Sequence, residues 1–417
     1  MPILTEFLRE TIPPAGIVRL LSLSNLAKTA GHGILMSVSV LYFTRTVDIP
    51  ADQVGLALSL GAAVGMLGSI PAGHLADRFG PRPVTIICLF LLGVFAAGYA
   101  LVTGFVGLIV AVSLALMAET ATDAARGALV AGLIPPDERV RTFSYMRSVA
   151  NIGIAAGALA GGVALYFDTK AVYLSVLVLG GVLFLVSGAA YFAVPSVPAT
   201  ARKGERRTAV LRDRPYVLLA LLNTVLVMHI TILTVALPIW ITTQTSSPAW
   251  TYSVALIVNT AMVVLLQVRV SRGSERAAGG GLALRRAGLA LAACCALFAL
   301  MQGRSLWLAL LLLAVGVLAH TIGEMLQGAG QWSVSFSLAP EHAQGQYQGL
   351  FAMSVQLGTV ATPALATYLL THFAWAGWML LAVPLALAGL AAPLTVRWAE
   401  GTRDRFAPQQ TVPETTS

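Results

Sequence analysis

Three sets of ionisable residues lie inside stretches that are otherwise apolar, and each has the spacing of one helix face. Glu119, Asp123 and Arg126 are four and three apart; Asn25, Lys28 and His32 are three and four apart. His320 and Glu324 are four apart, with Gln327 and Gln331 continuing the row. Such spacings stack side chains along one side of an α-helix. A carboxylate beside a histidine or a cation, held away from water, is a group that takes up and releases protons or holds a charged solute. The sequence has no G-x-x-x-x-G-K-[ST] loop for a nucleotide phosphate and no H-E-x-x-H metal pair. The expectation is therefore a protein that is not an enzyme, with no cofactor and no metal.

The elements that position these groups are long apolar runs. Of the 417 residues, 57% are hydrophobic and 11% are charged, and the mean hydropathy is +0.81. A soluble protein carries roughly 25% charged residues, so this chain lacks the charge to cover a water-facing surface. A helix needs about 20 apolar residues to cross a bilayer. The pattern predicts twelve such spans, at about 15–43, 53–73, 84–102, 105–131, 141–167, 171–194, 216–240, 250–270, 286–303, 305–330, 345–370 and 375–397. Pro135 lies sixteen residues beyond Glu119, about 24 Å of helix, which puts Glu119 near mid-membrane. A charge there costs at least about 2.5 kcal/mol, so these faces should line a cavity or pair inside the bundle. Lys28 is expected to neutralise Glu119 or Asp123. A buried ion-pair network with only a structural role would use the same residue types.

The expected organisation is an N-terminal arm (1–14), a first six-span half (15–194), a linker (195–215), a second half (216–397) and a tail (398–417). The linker holds Arg202, Lys203, Arg206, Arg207, Arg212 and Arg214 against Glu205 and Asp213. No aromatic residue interleaves them, so the net charge of +8 reads as loop charge rather than a nucleic-acid surface. Arginine and lysine crowd the loops on the linker's side, including Arg78, Arg82, Arg139, Arg141, Arg269, Arg272, Arg276, Arg285 and Arg286; the other side offers Arg45, Lys170 and Arg304. The positive-inside rule makes both termini cytoplasmic. Cys88, Cys294 and Cys295 fall in apolar runs as packing residues. The halves also repeat: Pro135 and Pro340 anchor an offset of about 205 that pairs Glu119 with Glu324, Asn151 with Gln356 and Gly153 with Gly358. Internal repeats of this kind place transport sites at the interface between halves.

Two short motifs remain. Gly73, Asp77, Arg78, Gly80 and Arg82 form a polar connection between the second and third runs, and Gly153, Gly157, Ala158, Gly161 and Gly162 form a small-residue face in the fifth. The first resembles the G-x-x-x-D-[RK]-x-G-[RK]-[RK] loop between helices 2 and 3 of the major facilitator superfamily, with Pro81 where a basic residue is usual. The second is similar to the fifth-helix signature of that family's drug:proton antiporters, with Ala158 where proline is usual; Pro363 stands at the repeat-related place. The resemblance implies an all-α membrane protein of twelve helices in two pseudo-symmetric six-helix halves. It implies a secondary transporter in the bacterial inner membrane that works as a monomer. Its cargo would be a small organic compound, lipophilic and, where charged, cationic, exported in exchange for protons by alternating access. A proton-coupled uptake symporter is the alternative on the same fold, and a transport-dead sensor or scaffold the alternative from another class. The resemblance also implies that Asp77 meets the start of helix 11 when the inner gate is closed. Of the two carboxylates, Glu119 is expected to stay charged against Lys28 and Arg126, and Glu324 beside His320 to exchange protons.

Overall fold

The computed structural model describes residues 11–200 and 209–403. They form twelve long helices: α1 Ile17–Arg45, α2 Ala51–Phe79, α3 Pro81–Leu101, α4 Phe105–Leu133, α5 Pro136–Phe167, α6 Lys170–Ala193, α7 Arg214–Gln244, α8 Trp250–Val270, α9 Ala277–Ala299, α10 Leu306–Ser337, α11 Gln344–Phe373 and α12 Trp375–Gly401. Eleven are long and apolar enough to cross a membrane. The exception among the described residues is α1, which carries Arg19, Lys28 and Arg45 beside Asn25 and His32. Large apolar side chains such as Leu101, Leu159 and Trp307 stand mostly exposed, as suits helices surrounded by lipid.

Proline and glycine set the helix ends. Gly80 has φ +92° and Pro81 is the first residue of α3, so the chain turns in a single residue. The connection from Gly73 to Pro83 is therefore not a loop: helix α2 runs on through Phe79, and Gly73, Asp77 and Arg78 sit on its last turns. A left-handed glycine followed by proline at N1 stops one helix and starts the next without any extended segment. In the second half the expected loop from Arg269 to Arg286 also shrinks, since α9 begins at Ala277 and takes Arg285 and Arg286 into its body. Helix α7 is interrupted near Val227 and widens into a π turn at Ile232–Ala236. Pro238 follows directly; its ring crowds the carbonyl four residues back and its nitrogen donates no hydrogen bond.

The packing repeats between halves. In the first, α1 packs on α5 and α6, α4 on α2 and α3, and α3 on α6; in the second, α7 packs on α11 and α12, α10 on α8 and α9, and α9 on α12. Each half buries its own core, around Tyr42, Phe43 and Phe184 in one and Trp240, Phe298 and Trp378 in the other. The main contacts across the halves are α2 and α4 with α11, and α5 with α8 and α10, which the same symmetry interchanges. Of the linker, residues 195–200 and 209–215 are described: the Thr200 amide donates to the Asp77 carbonyl at 2.8 Å, and its hydroxyl to the His342 carbonyl at 3.4 Å. Arg202, Lys203, Glu205, Arg206 and Arg207 lie outside the described residues, as do most of the N-terminal arm and the tail.

Candidate functional site

The polar residues of α1 and α4 meet. Asp123 Oδ1 accepts from Lys28 Nζ at 2.6 Å and from Arg126 Nη2 at 2.8 Å. Arg126 also donates to the Asn25 side-chain oxygen, and Asn25 in turn donates to the Met146 carbonyl of α5 at 2.8 Å. Glu119 Oε1 lies 3.1 Å from His32 Nδ1 and 3.7 Å from Lys28 Nζ. The expected neutralisation of a carboxylate by Lys28 is present, with Asp123 as the direct partner. Arg126 makes no direct contact with Glu119 among the described residues: Asp123, three residues before Arg126, takes the guanidinium, and the ion pairs of Glu119 are with His32 and the more distant Lys28. The side chains of His32, Glu119 and Asp123 retain 33%, 18% and 37% exposure, against 6% for Lys28. This cluster therefore opens on one side.

The second cluster joins the two halves. Glu324 Oε1 accepts from Arg147 Nη2 of α5 at 2.6 Å, and Oε2 from Asn259 Nδ2 of α8 at 2.8 Å. His320 Nε2 lies 2.9 Å from the His229 carbonyl; a carbonyl only accepts, so Nε2 carries the hydrogen and a neutral ring leaves a lone pair on Nδ1. That Nδ1 is buried without a partner and stands 3.9 Å from Glu324 Oε2, beyond hydrogen-bond range. His320 is thus a neighbour of Glu324 and not its hydrogen-bond partner. Gln327 donates to Asn223 of α7 at 2.7 Å and to Gln331 at 2.8 Å. Arg147 was not singled out in the sequence. The available signal was an arginine six residues beyond the expected span start at 141, four before Asn151.

The second-helix motif forms a close contact across the halves. Asp77, 2% exposed, accepts from the backbone amides of Gly345 at 2.6 Å and Gln346 at 3.0 Å. These are the first free amides of α11, where unpaired N–H groups and the helix dipole favour an anion. Gly73 and Gly345 face each other so closely that a Cβ on either would strike the other's backbone. Arg82 binds within its own half, donating to the carbonyls of Tyr191 at 3.0 Å and Phe192 at 2.6 Å, while Arg78 lies over the ring of Phe79. In α5, Gly153, Gly157 and Gly161 pack directly on α1, against Thr29, Ala30 and Ser37, whereas Gly162 faces open space and Ala158 is exposed.

The cross-half contacts share one end of the bundle. Asp77 with α11, Gly127 under Gln348, Phe143 against Trp332 and Phe336, and Ser148 with the Val263 carbonyl all lie towards the end that carries Gly80 and the linker. The Arg147–Glu324 pair joins the halves beside them.

A chain similar to this one over 81% of its length and 82% of its own is the multidrug resistance protein MdtH of Yersinia enterocolitica, at 28% identity. Among solved structures, a bacterial homologue of the iron transporter ferroportin in an outward-facing state matches with a TM-score of 0.71, covering 93% of this chain and 100% of that one at 16% identity. The fucose:proton symporter FucP of E. coli matches with a TM-score of 0.63, covering 91% and 97% at 15% identity. At such identities the two structures speak for the fold alone. The model of the Major Facilitator Superfamily matches residues 21–361, and the chain belongs to that family of membrane transporters.

Proposed function

We propose that this protein exports small lipophilic organic compounds, cationic where charged, in exchange for protons. It works by alternating access in the bacterial inner membrane with the linker end cytoplasmic. The observation that carries the reading is the placement of the charges. Two polar clusters, around Glu119 and Glu324, face the junction of the halves in mid-helix, and the halves are latched on the linker side of them. Rocking the halves would expose the Glu119 cluster to either side in turn. That cluster holds two carboxylates beside Lys28 and His32, the arrangement needed to exchange a proton for a cationic solute. The relation to MdtH, a multidrug resistance protein, supports export of varied compounds. Gly204 lies in the linker outside the described residues; the proposed topology makes it cytoplasmic.

Expression in cells lacking endogenous drug efflux tests the reading. Ethidium should accumulate less in expressing cells, and a protonophore should abolish the difference. Accumulation that rises with expression and falls with the protonophore would instead establish proton-coupled uptake.

A further inference from the structure

We infer that the proton-exchange site is the His32–Glu119 pair between α1 and α4, and that Glu324 serves as a fixed anchor of the interface between halves. The inference rests on the proton-exchange reading above and goes further by assigning the site.

A site that exchanges protons during transport needs a route to water and an atom with a free lone pair to receive the proton. Glu324 has neither. Each of its oxygens is taken by a donor, Arg147 or Asn259, and its side chain is 8% exposed. Asp123 is likewise bound by two cations on one oxygen. Glu119 differs: its contacts are His32 at 3.1 Å and Lys28 at 3.7 Å, and Lys28 is committed to Asp123 at 2.6 Å. His32 Nε2 has no hydrogen-bond partner among the described residues, and the ring is one-third exposed. The proton balance follows. With a neutral ring, Nδ1–H faces the Glu119 carboxylate and Nε2 holds a lone pair. A proton arriving from water binds Nε2, giving an imidazolium beside the carboxylate and raising the pair's charge by one. Its departure from the same atom restores the neutral ring, and Lys28 then remains as the cation nearest the carboxylate.

The other charged and titratable groups around the pair are accounted for. Asp123 on α4 pairs both with Arg126 of the same helix and with Lys28 of α1. Tyr99 of α3 lies within electrostatic reach of Glu119, and Tyr191 of α6 within that of Arg126 and Asp123. From α5 the contribution at Asn25 is the Met146 carbonyl, and the neighbouring Arg147 is bound to Glu324. From α2 it is the Gly65 carbonyl, which accepts from Thr120.

The first test needs no substrate. Purified full-length protein in detergent is stepped from about pH 8 to about pH 5, the range in which histidine titrates, and its proton uptake is read with an indicator dye. His32→Gln should lose about one proton per chain in that range. Glu119→Gln should move that uptake to lower pH, Glu119→Asp should retain it, and Glu324→Gln should match the wild type. Full uptake in His32→Gln, or loss of uptake in Glu324→Gln, overturns the assignment. The second test uses ethidium in proteoliposomes: His32→Gln should keep downhill exchange yet lose acceleration by a pH gradient. A His32→Gln protein still accelerated by the gradient also overturns it. If wild-type proteoliposomes ignore the gradient, the export reading fails, while the uptake measurement still judges whether His32 and Glu119 bind the proton as a pair. His32→Asn provides a second variant should His32→Gln fold poorly.

Discussion

Loss of the Asp77 carboxylate should unlatch the linker end. Both of its oxygens accept backbone amides at the start of α11, at 2.6 and 3.0 Å, in a site that is 2% exposed. Asp77→Asn keeps the shape, removes the charge, and sets an NH2 group opposite one of the two amides. A hydrogen bond to a charged group contributes about 1.5–3 kcal/mol, and a charge at a helix terminus adds up to about 2 kcal/mol when partly buried. The combined bias against the latched form is about 2–4 kcal/mol, or roughly 30- to 700-fold in its equilibrium. The assay is maleimide labelling of a cysteine at Gln348, which is 8% exposed and packed over Gly127 between α4 and α11, after replacement of the buried Cys88, Cys294 and Cys295. Where labelling follows the open population, Asp77→Asn should raise its rate about 30-fold or more and slow transport at unchanged expression. Wild-type labelling together with wild-type transport would show that Asp77 merely ends a helix.

Three further outcomes follow from the geometry. Breaking the Arg147–Glu324 pair by Arg147→Met or Glu324→Gln should destabilise the protein by about 3 kcal/mol, the lower end for a buried pair because the arginine is a third exposed; the double variant should recover most of the loss in a thermal melt. Asp213, fully buried, binds Arg403 at 2.5 Å and the Tyr347 hydroxyl at 2.9 Å, so Asp213→Ala should cost about 3–5 kcal/mol by chemical denaturation in detergent. A cysteine at Gly204 should be labelled by an impermeant maleimide in everted vesicles and not in intact cells; the reverse pattern inverts the topology.

The fold was legible because lipid demands long apolar helices, and the span centres fell on α1 to α12. The ends were less so. Helix α5 begins five residues before the expected 141, because Pro136 at N1 with Asp137 and Glu138 in the first turn makes a polar helix start, and a hydropathy pattern is blind to it. The nine residues of α9 before 286 were hidden for another reason: Gly279, Gly280 and Gly281 in a row read as a loop. At the site, i+3 and i+4 spacing placed Glu119, Asp123 and Arg126 on one face and predicted that Lys28 meets Glu119 or Asp123. It could not say which carboxylate would take which cation, since that depends on reach across helices. Arg147 escaped because its partner lies 177 residues away in the other half, where no periodicity within α5 points.

Transport into everted vesicles tests the central claim most directly, because the sign of the gradient separates exchange from co-transport. With an acid interior and alkaline medium, protons leave the vesicle, and an exporter working in exchange should concentrate ethidium inside; nigericin with potassium should collapse the gradient and release the dye. Accumulation driven instead by an acid medium, or unaffected by either gradient, would contradict proton-coupled export.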